Sequence, residues 1–221
     1  MTASSGILAA TLAAIIGLPV TPLPSDHPSN LSDALFQRFH EKEDVDIRTA
    51  SVDGKTIVRS TTTLPATPEK AARMLADVGS WSAWVKRLRS SNRLAGEPPA
   101  FWLRFDAPWP FSDRDYAVVP ALTEDGDGNL ILWWETGAAR LPPPEAHSIR
   151  VTEVRGGVVF FPGNVPGTTR VVYSDFAVLG GKLPGWAIRE SYRRGPVGIL
   201  GALRQRLADP LQDGDSSTEP R

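Results

Sequence analysis

The residues best equipped for chemistry lie in one stretch, Asp106-Ala107-Pro108-Trp109-Pro110-Phe111-Ser112-Asp113-Arg114-Asp115-Tyr116. Arg114 stands between two aspartates and close to aromatic side chains. An arginine held in an apolar cavity needs a carboxylate, a water or a ligand oxygen to offset its desolvation. One reading is therefore a contact to a ligand headgroup. The other is an ion pair at a strand end, with Asp113 or Asp115. Trp109, between two prolines, is badly placed for a core and well placed for a cavity rim or a membrane interface.

Other chemistries find little support. The chain has no cysteine, which excludes disulfides, thiolate metal sites and a cysteine nucleophile. His27, His40 and His147 are far apart and none has a second histidine at ligand spacing, so no metal is expected. The acidic run Asp125–Asn129 opens like a calcium loop, but Leu130 stands where that loop needs glycine and Thr136 where it needs a bidentate glutamate. A hairpin turn is expected there instead. There is no G-x-S-x-G elbow, Walker loop or dinucleotide fingerprint, and no cofactor is expected. Lys plus Arg number 24 against 25 Asp plus Glu, a net charge of -1, so no global field draws the protein to nucleic acid. An acid–base site assembled in a cavity from Asp106, Arg114, Tyr116 or His147 remains compatible with the sequence.

The elements that would position these residues follow from periodicity. The apolar run Ile7–Val20 is too short to cross a bilayer, which takes about 20 residues, but has the length of a signal-peptide core. Residues 1–29 are therefore read as a signal peptide or N-terminal hydrophobic segment with a linker containing Pro19, Pro22, Pro24 and Pro28. Export to the periplasm or beyond follows if the segment is a signal peptide, and a cytoplasmic location otherwise. The domain proper is expected over 30–208, with a polar, disordered tail over 209–221.

Within the domain, Leu31, Leu35 and Phe39 recur every four residues behind Asn30, which predicts a short helix ending before Val45. Val45–Val52 and Thr56–Leu64 read as strands joined by an Asp53-Gly54 turn. Thr67-Pro68 caps a helix carrying Ala71, Met74, Leu75 and Val78, and Trp81, Trp84, Val85 and Leu88 predict a second short one. Period-two alternation then puts Phe101, Leu103 and Phe105 on one face of a strand, with Trp102, Arg104 and Asp106 on the other. Further strands are expected at Tyr116–Leu122, Leu130–Glu135, His147–Val154, Gly157–Phe161 and Thr168–Val178. A last helix carries the stripe Ile188, Tyr192, Ile199, Leu203 and Leu207, with arginines around it and a kink expected at Gly195-Pro196. Such a basic amphipathic helix suits a lid over a cavity that opens at a membrane.

With this order in view, the stretch Pro108 to Tyr116 resembles the P-x-P-x-S-x-R-D-aromatic segment of START domains, the steroidogenic-acute-regulatory-related lipid-transfer family. The Trp81 and Trp84 pair behind its helix, and Gly180-Gly181-Lys182-Leu183-Pro184 before the last helix, are similar to flanking features of that family. The resemblance runs from about Asn30 to Leu207. It implies an α+β helix-grip fold, a curved antiparallel sheet wrapped around a long C-terminal helix and enclosing an apolar tunnel. It also implies non-catalytic binding and transfer of a lipid, of sterol or phospholipid class, with transient contact to a membrane surface. Arg114 would then be the polar contact, and Trp84, Trp102, Trp109, Tyr116, Trp134 and Tyr192 the ligand-lining aromatics. The family pairs the matching arginine with an acidic residue near Val85–Leu88, but here that segment reads Val85-Lys86-Arg87-Leu88, without a carboxylate. A small-molecule enzyme of the same superfamily, such as a polyketide cyclase or aromatase, is the alternative. It requires a cavity-facing residue with a perturbed pKa. No strand shows an unprotected apolar edge, so a monomer is expected.

Overall fold

The computed structural model describes residues 7–137, 141–143 and 147–209. Its elements in chain order are α1 (Ile7–Ile16), β1 (Gln37–Lys42), β2 (Val45–Val52), β3 (Lys55–Leu64), α2 (Pro68–Ala76), β4 (Leu88–Leu94), β5 (Ala100–Phe105), β6 (Asp113–Glu124), β7 (Leu130–Thr136), β8 (Ser148–Arg150), β9 (Val154–Pro162), β10 (Thr169–Ala177) and α3 (Gly185–Ala208). The strands form one sheet in the order β1-β2-β3-β10-β9-β7-β6-β5-β4, with β8 alone on a parallel register against β6. All other pairings are antiparallel, and α3 completes the α+β helix-grip architecture that the sequence predicts.

Local chemistry explains the elements that match expectation. Asp53 and Gly54 both take positive φ, 50° and 74°, the geometry a two-residue hairpin turn needs. Thr67 accepts the Lys70 N–H at 3.4 Å, and Pro68 occupies the first turn of α2, where no N–H is required. Asp125 closes the β6–β7 turn by accepting the N–H groups of Asp127 and Asn129.

Three expectations are corrected. The four-residue spacing of Leu31, Leu35 and Phe39 does not make a helix. Two single 3-10 turns, Pro28–Asn30 and Asp33–Leu35, lead straight into β1. The second helix after Trp81 is a 3-10 segment, Val78–Ala83, and Leu88 begins strand β4 rather than ending a helix. The strand expected over His147–Val154 shrinks to Ser148–Arg150, because Asp115 takes both the Ser148 hydroxyl and the Arg150 guanidinium and pins this segment beside β6. The helix α3 continues through Pro196. The tail expected beyond Asp209 lies outside the described residues.

The main core lies between the concave sheet face and the helices. Val45 and Ile47 of β2, Leu130, Leu132 and Trp134 of β7, and Val158 and Phe160 of β9 meet Leu200, Leu203 and Leu207 of α3 and Leu75 of α2. At about 25 cal/mol per Å² of apolar area, this burial is the main stabilising contribution. On the convex face, Phe36, Ala50, Ile57 and Phe176 form a smaller cluster, and Ala121, Ile131, Trp133 and Val159 another.

The residues read as leader and linker are docked on the body. The helix α1 buries Ala9, Leu12 and Ala13. Strand β5 pairs with β6 only as far as Val118. Beyond that point the Leu122 N–H donates to Pro19 and the Leu122 carbonyl accepts from Thr21, so the segment occupies an edge that would otherwise be open. His27 is fully buried, with Nε2 3.1 Å from the Gly156 carbonyl and Nδ1 accepting the Ser29 N–H. Desolvation pulls its pKa down to about 4, so the ring is neutral. Buried Arg59 fastens the same segment, donating to the carbonyls of Pro28 and Leu31, to Asp33 and to Ser174. Among the described residues no helix is long and apolar enough to cross a membrane.

Candidate functional site: a groove and an inner pocket

Two neighbouring spaces lie between the sheet and α3. The outer one is a groove of about 300 Å³ bordered by Phe105, Pro108 and Phe111 on one side and Leu183, Trp186 and Ile199 on the other. The inner one, about 50 Å³, is bordered by Trp81, Leu103, Tyr116, Trp134, Tyr173 and Asp175, again with Phe105 and Ile199. Those last two side chains line both spaces and so form the partition between them. The Phe105 ring is held in place by stacking on Tyr116, with centroids 5.9 Å apart and planes at 13°.

Strand alternation decides which side chains reach these spaces. On β6, Arg114 and Tyr116 share the inward parity of Val118 and Leu122. Arg114 is only 9% exposed and borders the groove. It donates to the carbonyls of Leu179 at 3.2 Å, Gly180 at 3.3 Å and Ser112. Its neighbours are already engaged: Asp113 is paired with Arg104, and Asp115 with Arg150 and the Trp102 indole. The strand-end ion pair is therefore not formed. In this state Arg114 clamps the Leu179–Gly180 backbone to β6 at the floor of the groove, and burial pulls its pKa downward.

The predicted aromatics separate into three groups. Tyr116 and Trp134 border the inner pocket. Trp109 is 92% exposed on the β5–β6 connection, beside the mouth of the groove. Trp102, Trp84 and Tyr192 border neither space. Trp102 has the outward parity on β5 and donates to Asp115 at 2.9 Å, Trp84 is half-buried with its indole donating to Ser80, and Tyr192 is half-buried against the main core.

Asp175 is the functional candidate that the sequence reading missed. On β10 it shares the inward parity of Val171 and Tyr173, which was the available signal. It is half-buried and borders the inner pocket. Desolvation pushes its pKa up to about 7, against a smaller opposing effect of the Tyr173 hydroxyl. Burial in turn raises the pKa of Tyr116 and Tyr173, so both phenols stay protonated. Gly156, directly across from Asp175, makes the arrangement fit. A Cβ there would come within 2.8 Å of the Trp134 ring and 2.9 Å of the Asp175 Cβ.

This architecture defines the class as a helix-grip fold of the START type. The particular likenesses are to the STAR-related lipid transfer protein (fragment 25-204) from Xanthomonas axonopodis and to human STARD10. The first matches with a TM-score of 0.69 at 23% identity, covering 79% of this chain and 99% of that one. The second matches with a TM-score of 0.70 at 13% identity, covering 90% and 85%. The Zhui aromatase/cyclase from Streptomyces sp. R1128 matches less closely, with a TM-score of 0.50 at 13% identity over 74% of this chain and 98% of that one. The sequence matches no family model and no curated protein.

Proposed function

We propose that the protein binds a lipid, without catalysis, in the space between the sheet and α3, and exchanges it at a membrane surface. The carrying observation is the apolar groove, which shares Phe105 and Ile199 with a small inner pocket of few polar groups, the usual makeup of a small-molecule site. The lipid-transfer name of the structurally similar Xanthomonas axonopodis protein supports this reading. The groove's volume stands at the low end of ligand sites, roughly 300–1,000 Å³. A sterol or phospholipid therefore requires the first turns of α3 to move outward. Their packing permits this, since no residue from Gly185 to Gly195 is buried.

The test is to purify the full chain from its host and identify bound molecules by native mass spectrometry and solvent extraction. A stoichiometric lipid, intact after prolonged incubation, is the expected result. An empty protein, or a bound molecule converted on incubation, defeats it. The second outcome would favour the acid–base enzyme instead, for which Asp175 is the specific observation: a carboxyl facing the cavity with its pKa near neutrality.

Membrane contact is proposed through Trp109, with Lys86, Arg87 and Arg194 around the same groove facing anionic headgroups. Trp109→Ala is expected to lower cosedimentation with phosphatidylglycerol vesicles several-fold while leaving the thermal midpoint unchanged. An unaltered sedimented fraction would remove this loop from the docking surface.

A further inference from the structure

We propose that Asp175 is the counter-ion for a cationic amine on the ligand, enclosed by the aromatic side chains of Trp81, Phe105, Tyr116, Trp134 and Tyr173. This rests on the reading that the cavity carries a lipid, and it names the ligand's chemical class and the direction in which it lies: amine innermost, apolar chain along the groove.

Asp175 is short of partners. No lysine or arginine borders the inner pocket, and Asp175 has no ion-pair partner among the described residues. A carboxylate has about four lone-pair sites, and here only the Tyr173 hydroxyl serves it. The groups facing it from the packed elements are the phenol of Tyr116 on β6, the phenol of Tyr173 on β10, the indole of Trp134 on β7, and apolar side chains of β5 and α3. Both phenols stay neutral.

The surrounding rings have a definite electrostatic preference. Aromatic π-systems attract cations, and clustered around an acid they form the arrangement that recognises ammonium groups. The Trp134 ring lies 5.8 Å from that of Tyr173 and 6.3 Å from that of Trp81, with Phe105 stacked on Tyr116 on the other side. An anion would meet Asp175 with like charge, and a neutral hydroxyl would gain little from the rings. A cation satisfies both the acid and the rings.

Space agrees with this choice. Gly156 leaves the indole and the carboxyl side by side, where any side chain would push them apart. The pocket's 50 Å³ admits a compact polar head, while Phe105 and Ile199 mark the point where an alkyl chain would pass into the 300 Å³ groove.

The test uses three probes of one chain length, dodecylamine, dodecanol and dodecanoate, titrated below their micellar concentrations into the full chain by isothermal calorimetry at pH 7.5. Dodecylamine is expected to bind roughly tenfold or more tightly than dodecanol, the worth of a charge-assisted contact. In Asp175→Asn that preference should vanish while dodecanol still binds. Tyr173→Phe, which keeps the carboxyl, should retain it. Dodecanol binding as tightly as the amine to the wild type, or a preference surviving in Asp175→Asn, overturns the proposal and leaves lipid carriage standing. If none of the three binds, the carriage reading itself fails, and this inference with it.

Discussion

At pH 8 the Asp175→Asn variant should be more stable than the wild type by about 4 kcal/mol, one pKa unit being worth about 1.4 kcal/mol, and at pH 4 by almost nothing. In the unfolded chain Asp175 ionises near 3.8, but in the folded protein it holds its proton up to about 7. Folding therefore takes up a proton across that window. The stability associated with Asp175 is complete below pH 3.8 and is lost as pH rises through 7. Asparagine has the shape of the protonated acid and no such dependence. His27 acts in the opposite sense, because its pKa falls from 6.5 to about 4 on folding, so its contribution is complete above 6.5 and is lost as pH drops through 4. Between pH 4 and 6.5 the two slopes nearly cancel in the wild type. Asp175→Asn exposes the His27 slope alone, and stability should climb with pH across that interval. Urea midpoints at pH 4, 6 and 8 check this, and an Asp175→Asn advantage equal at all three would refute it.

A chain starting at Asn30 should be less stable than the full chain by at least about 3 kcal/mol, given roughly 1.5–3 kcal/mol for each large apolar side chain removed from a core. Such a truncation discards buried Leu12, Leu18 and His27, the pairing of Pro19 and Thr21 with Leu122, and the Pro28 carbonyl that Arg59 uses. It also bares the far half of β6 and the Trp133 indole, which donates to Thr21. Equilibrium denaturation of the two chains measures the difference. Equal midpoints would mean that the segment contributes nothing to the body.

Much of this architecture was legible because its elements announce themselves through side chains. Thr67-Pro68, Asp53-Gly54 and the alternation of Phe101, Leu103 and Phe105 state their geometry locally. The strands that the sequence concealed, β1 and β4, are the two margins of the sheet. Their residues, Gln37–Lys42 and Leu88–Leu94, are largely polar and exposed, so their order comes from backbone pairing with β2 and β5 rather than from any hydrophobic rhythm. Leu31, Leu35 and Phe39 imitated a helix because Leu31 packs outside the sheet beside Phe36 while Phe39 packs inside against the main core. The site shows the same division. Arg114, Tyr116 and Trp134 could be placed from parity, and Trp102 too, on the opposite face. Asp175 was passed over because a single acid in an apolar strand resembles an ordinary surface position until its neighbours are seen.

The helix α3 is unequal along its length, and this bears on rates. From Val197 onward it buries Leu200, Leu203 and Leu207, and Arg204 binds the β1–β2 turn through Glu43 and β3 through Thr62 and Thr63. The portion before Pro196 is held by less buried contacts, Tyr192 on the core, Trp186 on Phe111 and Arg189 over Phe39, and proline leaves one rung of the helical ladder empty at the junction. The less buried first half is therefore expected to open at lower free energy than the whole body unfolds. Residence time for a cargo would then be governed by this partial opening. Changes that strengthen the anchored half would raise the melting temperature and leave the release rate where it was.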